Sequence, residues 1–308
     1  MKKILSLLLV AIMISVFAVG CTQAETPAET PAETPAETPV EETTSDFDTS
    51  ETINVVSRED GSGTRGAFVE IVGILEKDAN GNEVDRTYEE AVIQNGTDGV
   101  LTTVAGDEYS IGYISLGSLN DTVNPVKVEG VEATADNVKN GSYKIARPFN
   151  LAYKGELKPL AKDFLDFILS AEGQAIVEEE GYVQVGEAAA YAKTEQSGSI
   201  VVAGSTSVTP VMEKLAEAYM AMYPGVTIEI QSTGSSAGMQ SAMEGTAELG
   251  MASRELKDSE AAELTASVIA MDGIAVIANK ANPITDLTID EILSIYIGEA
   301  TEWSAVEK

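Results

Sequence analysis

Three stretches of this chain run from an apolar strand, through a Ser/Thr/Gly turn, into a helix start. They are Ile53–Ser57 into Arg58-Glu-Asp-Gly-Ser62-Gly63-Thr64-Arg65, Ile200–Ala203 into Gly204-Ser205-Thr206-Ser207, and Val226–Ile230 into Gln231-Ser-Thr-Gly234-Ser235-Ser236. Repetition of that unit, with short β-branched runs alternating with helical patterns from Ile53 onward, predicts an α/β fold. A helix N-terminus carries unpaired backbone N–H groups and the positive end of a dipole, and short hydroxyl side chains add donors. One such turn is ordinary capping. Three in one chain, one of them with an arginine, predict several dipoles aimed at a single small anion.

The spacing of apolar residues predicts helices over 64–75, 88–104, 160–170 and 210–223. In the last, Val211, Met212, Leu215, Ala218, Tyr219 and Met222 mark one face, Pro210 suits the first turn, and Pro224-Gly225 ends the segment. Strands are expected over 53–57, 111–116, 146–153, 200–203, 226–230 and 273–279. At 308 residues the chain has room for one large or two modest domains with proper cores.

The formal net charge of −31 argues against nucleic acid or an anionic membrane as a partner through a basic surface. An anion site in such a protein must therefore be local, built from neutral N–H and O–H dipoles and a buried arginine. Histidine is absent, which removes Ser-His-Asp and Cys-His catalysis and histidine-ligated metal. Cys21 is the only cysteine, so no intramolecular disulfide or thiolate metal cluster is expected, and no cofactor.

Residues 1–21 read as a secretory signal: Lys2 and Lys3, an apolar run from Ile4 to Val19, then Gly20-Cys21. Ala18-Val-Gly-Cys21 resembles a bacterial lipobox, in which Cys21 becomes the lipidated N-terminus; Ala18 stands where leucine is usual. Residues 22–52 hold four copies of Ala-Glu-Thr-Pro and an acidic run, too polar to bury and broken by proline. They predict a disordered spacer whose repeat reaches on the order of 50 Å at about 3.1 Å per residue. No second apolar span of about 20 residues follows, so the rest of the chain is not expected to cross a membrane.

Gly61-Ser-Gly63-Thr-Arg-Gly66 satisfies the dinucleotide pattern G-x-G-x-x-G after a strand and at a helix start. Arg65 would crowd the approach of a pyrophosphate there, and a secretory leader suits a nicotinamide enzyme poorly. An anion clamp explains more of the motif. Arg58 supplies a permanently charged, bidentate fork, Asp60 a carboxylate to hold it, and Ser62, Gly63 and Thr64 the donors of a helix start. Ser205, Thr206, Ser207 and Ser235-Ser236 are weaker individually, because Ser and Thr before helices are usually caps.

Taken together, Arg-Glu-Asp-Gly-Ser-Gly-Thr-Arg at 58–65, Gly-Ser-Thr-Ser at 204–207 and Gln-Ser-Thr-Gly-Ser-Ser-Ala-Gly at 231–238 resemble the phosphate-binding proteins of bacterial high-affinity phosphate ABC importers. Ile-Gly-Tyr-Ile-Ser-Leu-Gly at 111–117, Phe-Leu-Asp-Phe-Ile-Leu-Ser-Ala-Glu-Gly-Gln at 164–174 and Asp-Gly-Ile-Ala-Val-Ile-Ala-Asn at 272–279 extend the resemblance over nearly all of 53–308. The order differs from the family's, in which the Gly-Ser-Thr-Ser strand comes first. Placing 199–308 before 53–190 restores the family order, so the chain resembles a circular permutant.

The resemblance implies a two-lobe periplasmic-binding-protein-like fold of type II, circularly permuted, with a hinge of two strands, 146–153 and 273–279. One lobe would be discontinuous, from 53–147 and 280–308, and the other continuous, 148–279. It implies phosphate contacts from Arg58, Ser62, Gly63, Thr64, Thr206, Ser207 and Ser235, with Asp60 orienting Arg58. Many family members carry an aspartate where Ser253 stands here, to accept the proton of monohydrogen phosphate; Asp272, beside a hinge strand, is the candidate substitute, though its Asp-Gly also suits a β-turn. The expected protein is a monomeric, non-enzymatic binder, lipid-anchored on the outer face of the cell membrane, with inorganic phosphate and ABC permease subunits as partners. Other readings are a binder of sulfate or molybdate, an anion sensor, and a secreted phosphoryl-transfer enzyme. The last lacks histidine and any evident carboxylate metal cluster.

Overall fold

The computed structural model describes residues 47–80 and 82–306. The expected signal peptide, the expected lipidation site Cys21 and most of the expected spacer lie outside the described residues. The spacer expected through residue 52 ends earlier. Phe47 already packs on Tyr109, with ring centroids 5.0 Å apart, and Thr52 bridges to Glu302.

In chain order the first elements are β1 (Asn54–Arg58), α1 (Gly63–Val72), β2 (Leu75–Lys77), β3 (Glu83–Asp85), β4 (Val92–Gln94) and α2 (Gly96–Gly106). Then come β5 (Ser110–Ser115), β6 (Asn124–Val128), α3 (Ala135–Lys139) and β7 (Ala146–Tyr153). The chain continues with α4 (Pro159–Ile168), α5 (Ala171–Glu179), β8 (Gly198–Gly204), α6 (Thr209–Met222), β9 (Val226–Ser232) and α7 (Ser235–Glu244). It closes with β10 (Leu249–Ala252), α8 (Asp258–Ala261), β11 (Thr265–Ala278), β12 (Asp286–Leu287) and α9 (Ile289–Tyr296).

The main sheet runs β4-β1-β5-β11-β7-β10-β8-β9. β1 is parallel to β4 and β5, and β8 is parallel to β9 and β10. Between these parallel groups β11 runs antiparallel to both β5 and β7. Buried apolar residues gather into two large cores. One joins Ile53–Ile145 with Ile274–Val306, and the other draws on residues from Phe149 to Ala270, with a small satellite around Met239. β11 feeds both: Ile269 and Ala270 pack in the second, Ile274–Ala278 in the first. It begins eight residues before the expected strand. Its extra segment, Thr265–Asp272, pairs with β7 around a bulge between Val268 and Ala270.

Local sequence explains most elements. In α6 the proline sits in the first turn, and Val211, Met212, Leu215 and Tyr219 are buried on one face. Burial of each such apolar side chain stabilises the fold by about 1.5–3 kcal/mol. The helix expected over 88–104 is corrected. Val92–Gln94 pairs with β1 instead, and the helix starts only at Gly96, whose φ of +72° breaks any helix arriving from upstream. α7 lies close on β8, because a side chain at Gly238 would meet the Ala203 carbonyl and Gly204.

The two ends of the described chain meet. The Ile53 N–H donates to the Thr301 carbonyl at 2.8 Å, and Ile53 and Val306 share the first core. At the crossing of the two cores, Arg147 on β7 faces Asp272 on β11 in register. Its Nε and Nη2 donate to Asp272 Oδ2 at 3.1 and 3.0 Å, both side chains being buried. Burial pushes the Asp272 carboxyl up to about 6, and Arg147 draws it back only in part. Removing one partner of a buried pair typically costs about 3–5 kcal/mol, because the other charge is left unmatched. Asp272→Ala is therefore expected to lower the denaturant midpoint by an equivalent of about 3–5 kcal/mol, and an unchanged midpoint would show that the pair does not support the pairing of β7 with β11.

Candidate functional site

The C-terminal ends of β1, β8, β9 and β10 open on one cleft between the two cores. From β1, Arg58 is buried to 1% exposure, and Ser62 caps α1 by accepting the Arg65 N–H. The first N–H groups of that helix, at Gly63 and Thr64, have no intrahelical carbonyl within reach. From the other side come Ser205, Thr206 and Ser207 after β8, Ser235 at the start of α7, and Ser253 after β10. All except Thr206 are buried.

The sides touch directly. Arg58 Nη2 donates to Thr206 Oγ1 at 3.0 Å, Thr64 Oγ1 lies 2.9 Å from Ser207 Oγ, and the Ser236 N–H donates to the Gly61 carbonyl. Behind them Ser205 Oγ donates to Ser253 Oγ at 2.9 Å, and the Ser253 N–H donates to Ser235 Oγ at 3.2 Å. A cavity of about 360 Å³, lined from one side by Asn95–Asp98 and Ser118 and from the other by Thr206, Thr209 and Ser232, shares Thr206 with this cluster.

Of the residues singled out in the sequence, Arg58, Ser62, Gly63, Thr64, Thr206, Ser207, Ser235 and Ser253 are together here. Asp60 and Asp272 are not. Asp60 is fully exposed and accepts from Arg65 Nη1 at 2.8 Å, so its expected role of orienting Arg58 is corrected. Glu59, not Asp60, pairs with the arginine, accepting from Arg58 Nε at 2.7 Å and Nη2 at 2.8 Å. Burial opposes ionisation of Glu59, but Arg58 and the Gly96 N–H outweigh it and hold the carboxyl below the ordinary range. Asp272 accepts its hydrogen bonds from Arg147, and none joins it to the hydroxyl cluster. Arg58 retains one buried donor without a partner, Nη1. The arrangement offers a guanidinium edge, helix-start N–H groups and rotatable hydroxyls to a small oxyanion.

Residues 44–172 and 189–308 match the model of a PBP superfamily domain. The phosphate-binding protein PstS 2 of Streptococcus agalactiae is 51% identical over 259 residues, covering 83% of this chain and 88% of that protein. The chain belongs to the PBP superfamily, in its PstS family. The PstS 2 protein of Streptococcus pneumoniae is 46% identical over 259 residues, 84% of this chain and 89% of its own. The crystal structure of a phosphate-binding protein of a phosphate ABC transporter from Streptococcus pneumoniae superposes with a TM-score of 0.68 at 46% identity, over 83% of this chain and all of the other. A PstS protein of Bacillus subtilis is 33% identical over only 137 residues, 44% of this chain and 42% of its own length.

In this PstS family member, the side chains that sequence reasoning passed over are those that hold Arg58. Tyr113 Oη accepts the Arg58 N–H at 3.3 Å and bonds to Ser57 Oγ, while its ring stacks on Phe68 at 3.9 Å. Arg254 pairs with buried Glu260 and donates from Nη2 to Ser236 Oγ. Neither Tyr113 nor Glu59 stands in a pattern that distinguishes it from a core tyrosine or a surface acid. Gly63 is required for a different reason: a Cβ there would overlap Ser235 Oγ and come within 2.7 Å of Ser253 Oγ across the cleft. Gly63→Ala is expected to hold the two sides apart. Amide hydrogen exchange at Ser236 should then accelerate at least about tenfold as its bond to Gly61 is lost, whereas unchanged protection would mean the cleft absorbs the methyl.

Proposed function

We propose that this chain is an extracytoplasmic solute-binding protein that captures inorganic phosphate between two lobes and hands it to the membrane subunits of an ABC importer. It is a binding protein, not an enzyme. The observation that carries the reading is the meeting, in one cleft, of a buried arginine with a free Nη1 and the hydroxyl-bearing turns from both sides. The kinship with PstS proteins supports phosphate over other oxyanions.

Arg58 is the charged clamp. Ser62, Gly63 and Thr64 on one lobe, with Thr206, Ser207, Ser235 and Ser253 on the other, supply neutral donors, and closing the lobes completes the shell. Hydrogen bonds to a charged group contribute about 1.5–3 kcal/mol each. Several of them, less the cost of ordering, reach micromolar affinity, about −8 kcal/mol. Ser253 is the acceptor for the phosphate proton, since a hydroxyl both accepts and donates. The lobes are assembled as 53–147 with 280–308, and 148–279, in a circularly permuted order. The meeting of the chain ends supports this, as does the match to the Bacillus subtilis protein over less than half of each chain, which is what linear alignment recovers from exchanged halves. Cys21 carries the lipid anchor and the protein acts as a monomer. Among the described residues no helix is long and apolar enough to cross a membrane.

Arg58→Ala is expected to weaken phosphate binding by about 2–5 kcal/mol, the usual cost of truncating one partner of a buried charged contact, without unfolding the chain. Titration calorimetry on the folded variant checks this, and near-normal affinity refutes the clamp. Because Ser253 is a neutral acceptor that rotates to donate, sulfate is expected to bind the wild-type chain within about a hundredfold of phosphate, about 2.7 kcal/mol. A wider gap measured in the same calorimeter would mean that a carboxylate does the sorting.

A further inference from the structure

Arg58 is useful to an anion only if its guanidinium is held at one angle, and the group that holds it is adjacent in sequence. Glu59 presents both carboxylate oxygens to Arg58, Oε2 to Nε at 2.7 Å and Oε1 to Nη2 at 2.8 Å, a paired geometry that fixes the plane of the fork. Glu59 is itself fixed. Its Oε2 also accepts the Gly96 N–H at 3.3 Å at the first turn of α2, a helix whose N-cap residue Asn95 makes no side-chain cap bond. The carboxylate therefore takes the capping position on α2, where a negative charge meets the positive end of the dipole. The Nε–Nη2 edge of the guanidinium is thereby occupied, and Nη2 reaches across the cleft to Thr206 as well. Only Nη1 is left, buried and without a partner.

We propose that Glu59, anchored by the N-terminus of α2, is the positioning residue that aims Arg58 Nη1 at the bound oxyanion. This rests on the phosphate-binding reading above and adds to it the residue through which the clamp is held. Glu59 does not touch the anion; it acts through Arg58. Asp60, two residues from the arginine, has no part in this, because it is exposed and engaged with Arg65. A competing account is that Glu59 is a stand-in carboxylate that the anion must displace. Its location on the same strand end as Arg58, and its second bond to α2, favour the positioning role, since displacement would also uncap the helix.

The test uses the full chain and measures phosphate affinity by equilibrium dialysis. Wild type is measured first. Failure to bind phosphate or sulfate would remove the functional reading and this role with it, while sulfate binding alone would move the same comparison to sulfate. Glu59→Gln is expected to bind at least about tenfold more weakly, and Asp60→Asn to stay within about twofold of wild type. Because Glu59 works through Arg58, Glu59→Gln should add less than about twofold when introduced into Arg58→Lys, a non-additivity that a general structural defect would not produce. Wild-type or tighter affinity in Glu59→Gln would overturn the proposal in favour of a displaced carboxylate. An equal loss in Asp60→Asn, or a full additive loss in the Arg58→Lys background, would overturn it as well.

Discussion

A guanidinium buried to 1% exposure in a protein of net charge −31 is the constraint around which the site is organised. Such a group cannot shed its proton, and it cannot be left bare in the interior. Every nearby element answers that demand. Glu59 balances the charge, Thr206 Oγ1 accepts a hydrogen bond from the opposite side of the cleft, and Tyr113 accepts the arginine's own backbone N–H while stacking on Phe68. The remaining shell is made of hydroxyls and helix starts, which add donors without adding net charge. The surface can stay strongly acidic while a few ångströms of interior favour an anion.

A second buried ion pair, Arg147 with Asp272, makes no hydrogen bond to the hydroxyl cluster and lies in the strands that connect the two cores. Both pairs join an arginine to a carboxylate, but their settings differ. Arg58 and Glu59 are neighbours in sequence at the end of a strand, where the chain turns toward the cleft. Arg147 and Asp272 are 125 residues apart and meet because β7 and β11 pair in one register. The first pair presents a free donor to the cleft. The second fixes the alignment of β7 and β11, which run between the two cores, and a one-residue slip there would put the two charges on opposite faces of the sheet.

Much of this was legible in the sequence. The three strand–turn–helix units, the helices over 160–170 and 210–223 and the strand over 146–153 carry their own signals in capping residues, proline position and apolar spacing. The turn residues Arg58, Thr64, Thr206, Ser207 and Ser235 each sit where a strand gives way to a helix, but Ser and Thr there also read as ordinary caps, and it is the family resemblance that singles them out. Choosing between Glu59 and Asp60 as the partner of Arg58 could not be done by spacing, for adjacent acids differ only in the direction the backbone gives them. Asp272 reads in the sequence either as an acceptor for the phosphate proton or as an Asp-Gly turn residue, because nothing nearby names Arg147 as its partner. The helix read over 88–104 failed for a related reason: Val92-Ile93 is apolar in either conformation, and its pairing with β1 decided the matter.

The division of the cores along the chain has a consequence for biosynthesis. The second core is built from residues 149–270, all available while the chain is still emerging, whereas the first needs Ile53–Ile145 together with Ile274–Val306. Trp303 and Tyr296, both deeply buried in the first core, arrive after every residue of the second. The half containing Arg58 is thus completed after the other, through long-range contacts that are slow to form.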